Sequence, residues 1–183
     1  MVTFVLVVAL VLAVAVLIGF VLGYNKLRTA DVRVDEALGG IDVQLTRRAA
    51  LIPGLVSAVK GYAAHEQSVL GRIADAQAAL TAATAGKSIE QRTVAEHQFD
   101  TAVAPVLALG TTYPQLNSSN NFMNLQQNLA DTEDKLAFAR QYYNDAAADV
   151  NRLRSTIPWM FVAGVAGVGE REFYQVPFNQ VPQ

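Results

Sequence analysis

The chain has 183 residues, with 14 Lys and Arg against 16 Asp and Glu, a formal charge of −2 and no cysteine. That charge balance gives no basic face of the kind a nucleic-acid binder carries. The lack of cysteine excludes disulfides, thiolate sites and a lipoprotein anchor, and is neutral on compartment. Alanine is abundant and β-branched alternation is missing after residue 23, so the composition predicts helices rather than strands.

Residues 1–23 carry no charge, and the apolar run 2–22 is broken only by Thr3 and Gly19. About 20 residues rising about 1.5 Å each span a hydrocarbon core of roughly 30 Å, so the run predicts a transmembrane helix. No Lys or Arg precedes it, and residues 19–24 offer a poor cleavage site. An uncleaved anchor is expected rather than a signal peptide. Lys26, Arg28 and Arg33 follow the span and keep the remainder cytoplasmic by the positive-inside rule, in which the interleaved Asp31, Asp35 and Glu36 count little. Ala15, Gly19 and Gly23 form a small-residue ladder on one face, a pattern that lets spans approach each other in lipid.

Residues 24–51 continue as a helix, with Leu27, Ala30, Val34, Leu38, Ile41 and Leu45 on one face. Pro53 disfavours α geometry in the residue before it and suits the first turn of a new helix. A corner is therefore expected at residues 51–52, with a second helix over 53–85 whose core positions are Val56, Val59, Ala63, Leu70, Ile73 and Leu80. The alternative is three long helices, the first kinked at Pro53. Gly86 suits a C-terminal cap, and Ser88 with Gln91 makes a capping box for a third helix over 89–112. Pro105 predicts a kink within it. Residues 110–119 read as a turn. The fourth helix is the clearest soluble signal. Phe122, Leu125, Leu129, Thr132, Leu136, Ala139, Tyr143, Ala146, Val150 and Leu153 follow an unbroken 3-4 spacing, a coiled-coil-like seam suited to an intramolecular bundle. Residues 157–168 are apolar but too short to cross a bilayer, and a polar end follows that is expected to be disordered.

An up-and-down count of four helices returns residues 157–168 to the point where Tyr24 leaves the membrane. Trp159, Met160, Phe161 and Val162 would then meet the lipid interface or a neighbouring copy. With the first two helices fused into one, the same count puts this tail at the far end; a tail folded over its own bundle end is the remaining reading.

Three marks carry a family resemblance. Tyr24-Asn25 follows the anchor. A long block runs from Ile41-Asp42-Val43-Gln44-Leu45 through Arg47-Arg48 and Leu51-Ile52-Pro53 to Val59-Lys60-Gly61-Tyr62-Ala63 and His65-Glu66. A third set comprises Asn124-Leu125-Gln126, Thr132-Glu133, Ala139-Arg140, Tyr143-Asn144 and Val150-Asn151. Together they resemble the LemA family of bacterial membrane proteins over about residues 24–174. The resemblance implies one N-terminal span, a cytoplasmic antiparallel helical bundle and no accepted enzymatic activity. It also implies links with membrane organisation, magnetosome formation included, and with membrane proteases. The Ala/Gly-rich stretch 159–169 and Pro105 depart from the family pattern.

No residue set supports catalysis. His65-Glu66 lacks the second histidine of a zincin, and His97 stands alone. No phosphate loop and no Ser–His–Asp spacing occurs. Arg47, Arg48, Glu133 and Arg140 are expected to be interhelical pairs that fix register.

The sequence thus predicts an all-α protein: an anchor over 1–23, an antiparallel up-and-down four-helix bundle over 24–156, and an apolar juxtamembrane or oligomer-contact tail over 157–183. The expected role is a self-associating scaffold at the cytoplasmic face of a bacterial inner membrane, with lipid, further copies and other membrane proteins as partners. No cofactor, nucleic acid or small-molecule substrate is expected. An adaptor that binds a membrane enzyme through its bundle, without self-assembly, is the alternative.

Overall fold

The computed structural model describes residues 1–61, 67–86 and 88–175. Among these residues there are six helices and no strand: α1 (Val2–Lys60), α2 (Gln67–Ala85), α3 (Ile89–Thr112), α4 (Pro114–Asn117), α5 (Asn120–Ser155) and α6 (Met160–Ala166). The expected disordered end after residue 175 and the Tyr62–Glu66 part of the family block, with His65, lie outside the described residues. Two compact units form, Met1–Ala37 with Tyr143–Phe173, and Leu38–Tyr142 with the residues from Tyr174 on.

α1 contains one stretch long and apolar enough to cross a membrane, near the N-terminus and wholly unburied. The corner expected at residues 51–52 is absent, because α1 runs unbroken through Pro53. Pro53 is exposed, while Leu45, Ala49, Ile52, Leu55 and Val59 keep one buried stripe across it. Burying Ile52, Leu55 and Val59 stabilises by roughly 1.5–3 kcal/mol each. That outweighs the roughly 3 kcal/mol cost of a proline inside a helix. The second helix consequently starts at Gln67 rather than 53. Val56 is half-buried, and Leu55 takes the core position in its place.

In the second unit, α2 turns its Ile73, Ala76, Leu80 and Ala83 face inward. α3 has the expected bounds, and Ser88 Oγ accepts the Gln91 N–H at 3.2 Å, the expected cap. α3 continues past the exposed Pro105. The expected turn at 110–119 is partly helical. Gly110 ends inside α3, and Pro114 starts the single turn α4 from its first position, which suits a residue without an N–H. Gly110 has a packing reason, since a Cβ there would lie 3.0 Å from the Phe122 ring. Gly54 likewise lies close to Leu125, whose methyl would meet an added Cβ at 3.1 Å.

The α5 seam follows the 3-4 pattern closely. Phe122, Leu125, Leu129, Thr132, Leu136, Tyr143, Ala146 and Val150 are buried, and Ala139 and Leu153 are half-buried. Its N-terminal two thirds belong to the second unit, and the stretch from Tyr143 belongs to the first.

In the first unit the chain after α5 folds back on α1. The Trp159 ring covers Gly23 so closely that a Cβ there would lie 2.8 Å from two ring carbons. Lys26 Nζ sits 5.1 Å from the ring centroid. α6 buries Val162, Ala163 and Ala166, and its C-terminal Gly167 takes the left-handed φ of 65° that favours glycine. The tail is therefore next to Gly23 even though α1 is continuous through Pro53, against the expectation that a fused first helix sends it to the far end. α1 ends at Lys60 and α2 begins at Gln67, so the number of long helices is unchanged and only the boundary moves.

Replacing Pro53 by Ala restores an amide at an exposed helical site. Chemical denaturation in detergent should show a gain of about 1–2 kcal/mol, less than the full proline penalty because the unfolded chain also gains freedom.

Candidate functional site

Charged residues occupy core-phase positions on three helices. On α3 the phase Ile89, Arg92, Glu96, Phe99, Val103, Val106 carries two of them, and Arg48 and Arg140 fall in the buried phases of α1 and α5. Side chains at these positions must enter the interior, and an interior charge is tolerated only when paired.

The pairs meet in the second unit. Arg48 of α1 reaches Asp100 Oδ1 at 2.5 Å, Glu133 Oε2 at 3.1 Å and Glu96 Oε1 at 3.7 Å. The contact with Glu133 is an ion pair outside hydrogen-bond geometry. Arg140 of α5 pairs with Glu96, and with Glu133 at 3.4 Å. Tyr174 Oη donates to Glu96 Oε2 at 2.9 Å. The two guanidiniums also lie against rings, Arg48 over Phe99 at 4.8 Å and Arg140 over Tyr174 at 5.9 Å. Two cations thus face three carboxylates, and Glu96 holds the centre.

Arg92, only 1% exposed, forms a second pair. Its Nε and Nη2 donate to Asp42 of α1 at 2.6 and 2.8 Å, and its Nη2 and Nη1 cap the Gly86 and Ser88 carbonyls at 2.7 and 3.1 Å. One buried arginine therefore ties the α2–α3 connection to α1.

Burial moves the titrations. Glu133 is pushed above its ordinary 4.5 by loss of solvent, opposed by Arg48 and aided by Asp100 and Asp134. Its share of stability is thus full below 4.5 and is lost as pH rises through the raised value. Burial lowers the Arg140 guanidinium. Burial likewise raises the Tyr174 phenol from 10.0 to about 12, against the pull of Arg140 and Arg92.

In the first unit, Arg171 donates to Asp31 at 2.7 and 3.0 Å and approaches Asp35 at 3.1 Å. Asn151 and Arg171 exchange two hydrogen bonds, at 2.9 and 3.0 Å, and Tyr143 Oη donates to the Glu172 carbonyl at 2.9 Å. The chain after α6 is thereby stitched to α1 and α5. Between α1 and α5 lies a groove of about 330 Å3 lined by Lys26, Arg33, Asp149 and Arg152.

Of the residues expected to set register, Arg48, Glu133 and Arg140 meet in one cluster, while Arg47 lies on the exposed side of α1. Trp159 and Val162 face inward, whereas Met160 and Phe161 are exposed. Gly23 is occupied by its own chain's Trp159, and Ala15 and Gly19 are exposed. His97 is exposed and His65 lies outside the described residues. Among the described residues no three His, Asp or Glu side chains group as a metal site needs. Sequence reasoning missed Arg92, Glu96, Asp42, Asp31, Arg171 and Tyr174. Arg92 and Glu96 were visible as charges in the apolar phase of the third helix. The other four carried no such mark.

The LemA family model matches residues 37–183. Relatives include magnetosome protein MamQ of Magnetospirillum gryphiswaldense, 25% identical over 96% of this chain and 75% of its own length. Magnetosome protein MamQ 2 of Paramagnetospirillum magneticum is 23% identical over 93% of this chain and 71% of its own.

Arg92→Ala strands Asp42 and leaves two carbonyls uncapped, so denaturation should show a loss of about 3 kcal/mol. Arg92→Lys should recover only part, since a lysine lacks the planar fork. On the alkaline side, a neutral phenol is favoured in the folded state, so the contribution of Tyr174 is full below pH 10 and is lost as pH rises through about 12. A pH series of melting temperatures should fall across that window, and less steeply in Tyr174→Phe.

Proposed function

As the chain belongs to the LemA family, we propose that it is a membrane-anchored structural scaffold that self-associates at the cytoplasmic face of a bacterial inner membrane. The carrying observation is α1, one helix that includes both the membrane-crossing stretch and a wall of the helical body. An anchoring helix that itself contributes buried residues such as Ile41, Leu45 and Ile52 to a core suits an architectural part better than a tethered catalyst. The body is an antiparallel up-and-down arrangement of four long helices, α1, α2, α3 and α5. Pairings that support this are Gly54 with Leu125 and Arg48 with Glu133, which descend along α5 as they rise along α1. Asp42 with Arg92 and Arg48 with Asp100 rise together along α3. The buried ion cluster holds register and is not assigned chemistry. Relatives named as magnetosome proteins favour a part in building a cellular structure over turnover of a small molecule.

Particle mass of the full chain in mild detergent tests this reading. A defined multimer is expected. A strict monomer at all concentrations would refute self-association, and a monomer that captures a membrane enzyme in stoichiometric amount would instead support an adaptor.

A further inference from the structure

We propose that α6 is an interfacial foot that docks on the anionic phospholipid leaflet from which α1 emerges. The inference rests on the membrane-anchored reading and adds a lipid class and a surface to it.

The foot is built by packing. Trp159 covers Gly23, the last residue before polar side chains begin, and α6 buries Val162, Ala163 and Ala166. This leaves the opposite face of the foot apolar and open. Ile157 is 71% exposed, Met160 45%, Phe161 71% and Val165 68%. Four large apolar side chains together on a seven-residue helix and its lead-in are costly in water. Their occupant follows from continuity. The uncovered apolar belt of α1 runs up to Leu22, and the foot is clamped to the next residue of that helix. A bilayer that covers the belt therefore reaches the foot without a gap. Trp159 then stands at the level where tryptophan is enriched.

Charge selects the lipid. Residues 24–30 and 150–169 contain Lys26, Arg28, Arg152 and Arg154 and no acid. Lys26 lies roughly 4.5 Å along α1 beyond Gly23, within a headgroup layer about 5–7.5 Å thick, and Arg28, roughly 7.5 Å beyond it, lies at the layer's outer edge. Acids flank these cations in the sequence and partly face them. Asp31 pairs with Arg28 at 3.4 Å, Asp149 with Arg152 at 2.8 Å and Glu170 with Arg154 at 3.7 Å. The Asp149–Arg152 pair is exposed on both sides, and exposed pairs are weak, so phosphate oxygens compete for that guanidinium. An outward apolar foot under a ring of cations is the pattern of a segment lying in an anionic interface.

Trp159 is the chain's one tryptophan and reports on the site directly. The full chain is reconstituted in neutral phosphatidylcholine vesicles containing either brominated phosphatidylglycerol or brominated phosphatidylcholine. Quenching of Trp159 by both is expected, with the anionic lipid preferred, and each charge removed in Lys26→Gln/Arg152→Gln should lower that preference about fivefold. Phe161→Ser/Val165→Ser should weaken quenching by both lipids while leaving the chain resistant to alkaline carbonate extraction. A carbonate-resistant chain whose Trp159 is unquenched overturns the foot and leaves the anchor standing. Equal quenching by the two lipids overturns the anionic selection. A change in particle mass on Phe161→Ser/Val165→Ser, with Trp159 unquenched in the parent chain, assigns the face to a second copy and overturns the proposal. Extraction of the parent chain by carbonate removes the anchored reading and this inference together.

Discussion

Burying a guanidinium among helices costs several kcal/mol unless carboxylates meet it, and that constraint organises the helical body. Leu, Val and Ala seams specify that helices pack, but one apolar layer resembles the next, and a helix displaced by a turn still buries much the same surface. Arg48, Glu96, Glu133 and Arg140 allow no such freedom. A one-turn slip of α1, α3 or α5 strands a buried charge. Arg92 imposes the same condition at the α2–α3 connection, through Asp42 and the two carbonyls it caps. Clusters of this kind are best known for choosing one arrangement, since a well-packed apolar replacement can hold helices as tightly. The strong bias toward alanine on α2 and α3 makes that choice more necessary, because Ala76, Ala83, Ala95 and Ala102 offer little shape to lock.

The periodic elements were legible in the sequence. The α5 seam, the bounds of α3 and the Ser88 cap follow from spacing and capping chemistry alone. Pro53 was misread because a local preference was allowed to outweigh a stripe that continues across it, from Leu45 to Val59. Arg48, Glu133 and Arg140 are paired in the structure, and a charge next to a core position announces a partner. Its partners were harder to see. Glu96 and Arg92 could have been read from their phase on the third helix. Asp31, Arg171 and Tyr174 could not, because their contacts join segments 140 and 78 residues apart through a stretch without periodicity.

At the other end of the chain the limiting factor is room. A Cβ on Gly23 would meet the Trp159 indole, so at that position close approach comes from within the chain. Ala15 and Gly19 keep their open face. A glycine at a membrane-proximal position thus carries two different readings, close approach of another span or close approach of a folded tail, and only the tertiary partner separates them.

Tyr174 gives the protein a chronology. Glu96 and Arg140 leave the ribosome well before the phenol that completes their cluster, which arrives 78 positions after Glu96. Until then the helices can collapse only around a carboxylate short of one donor. Closure of the charged interior waits for that phenol, which follows the apolar N-terminal stretch by about 150 residues.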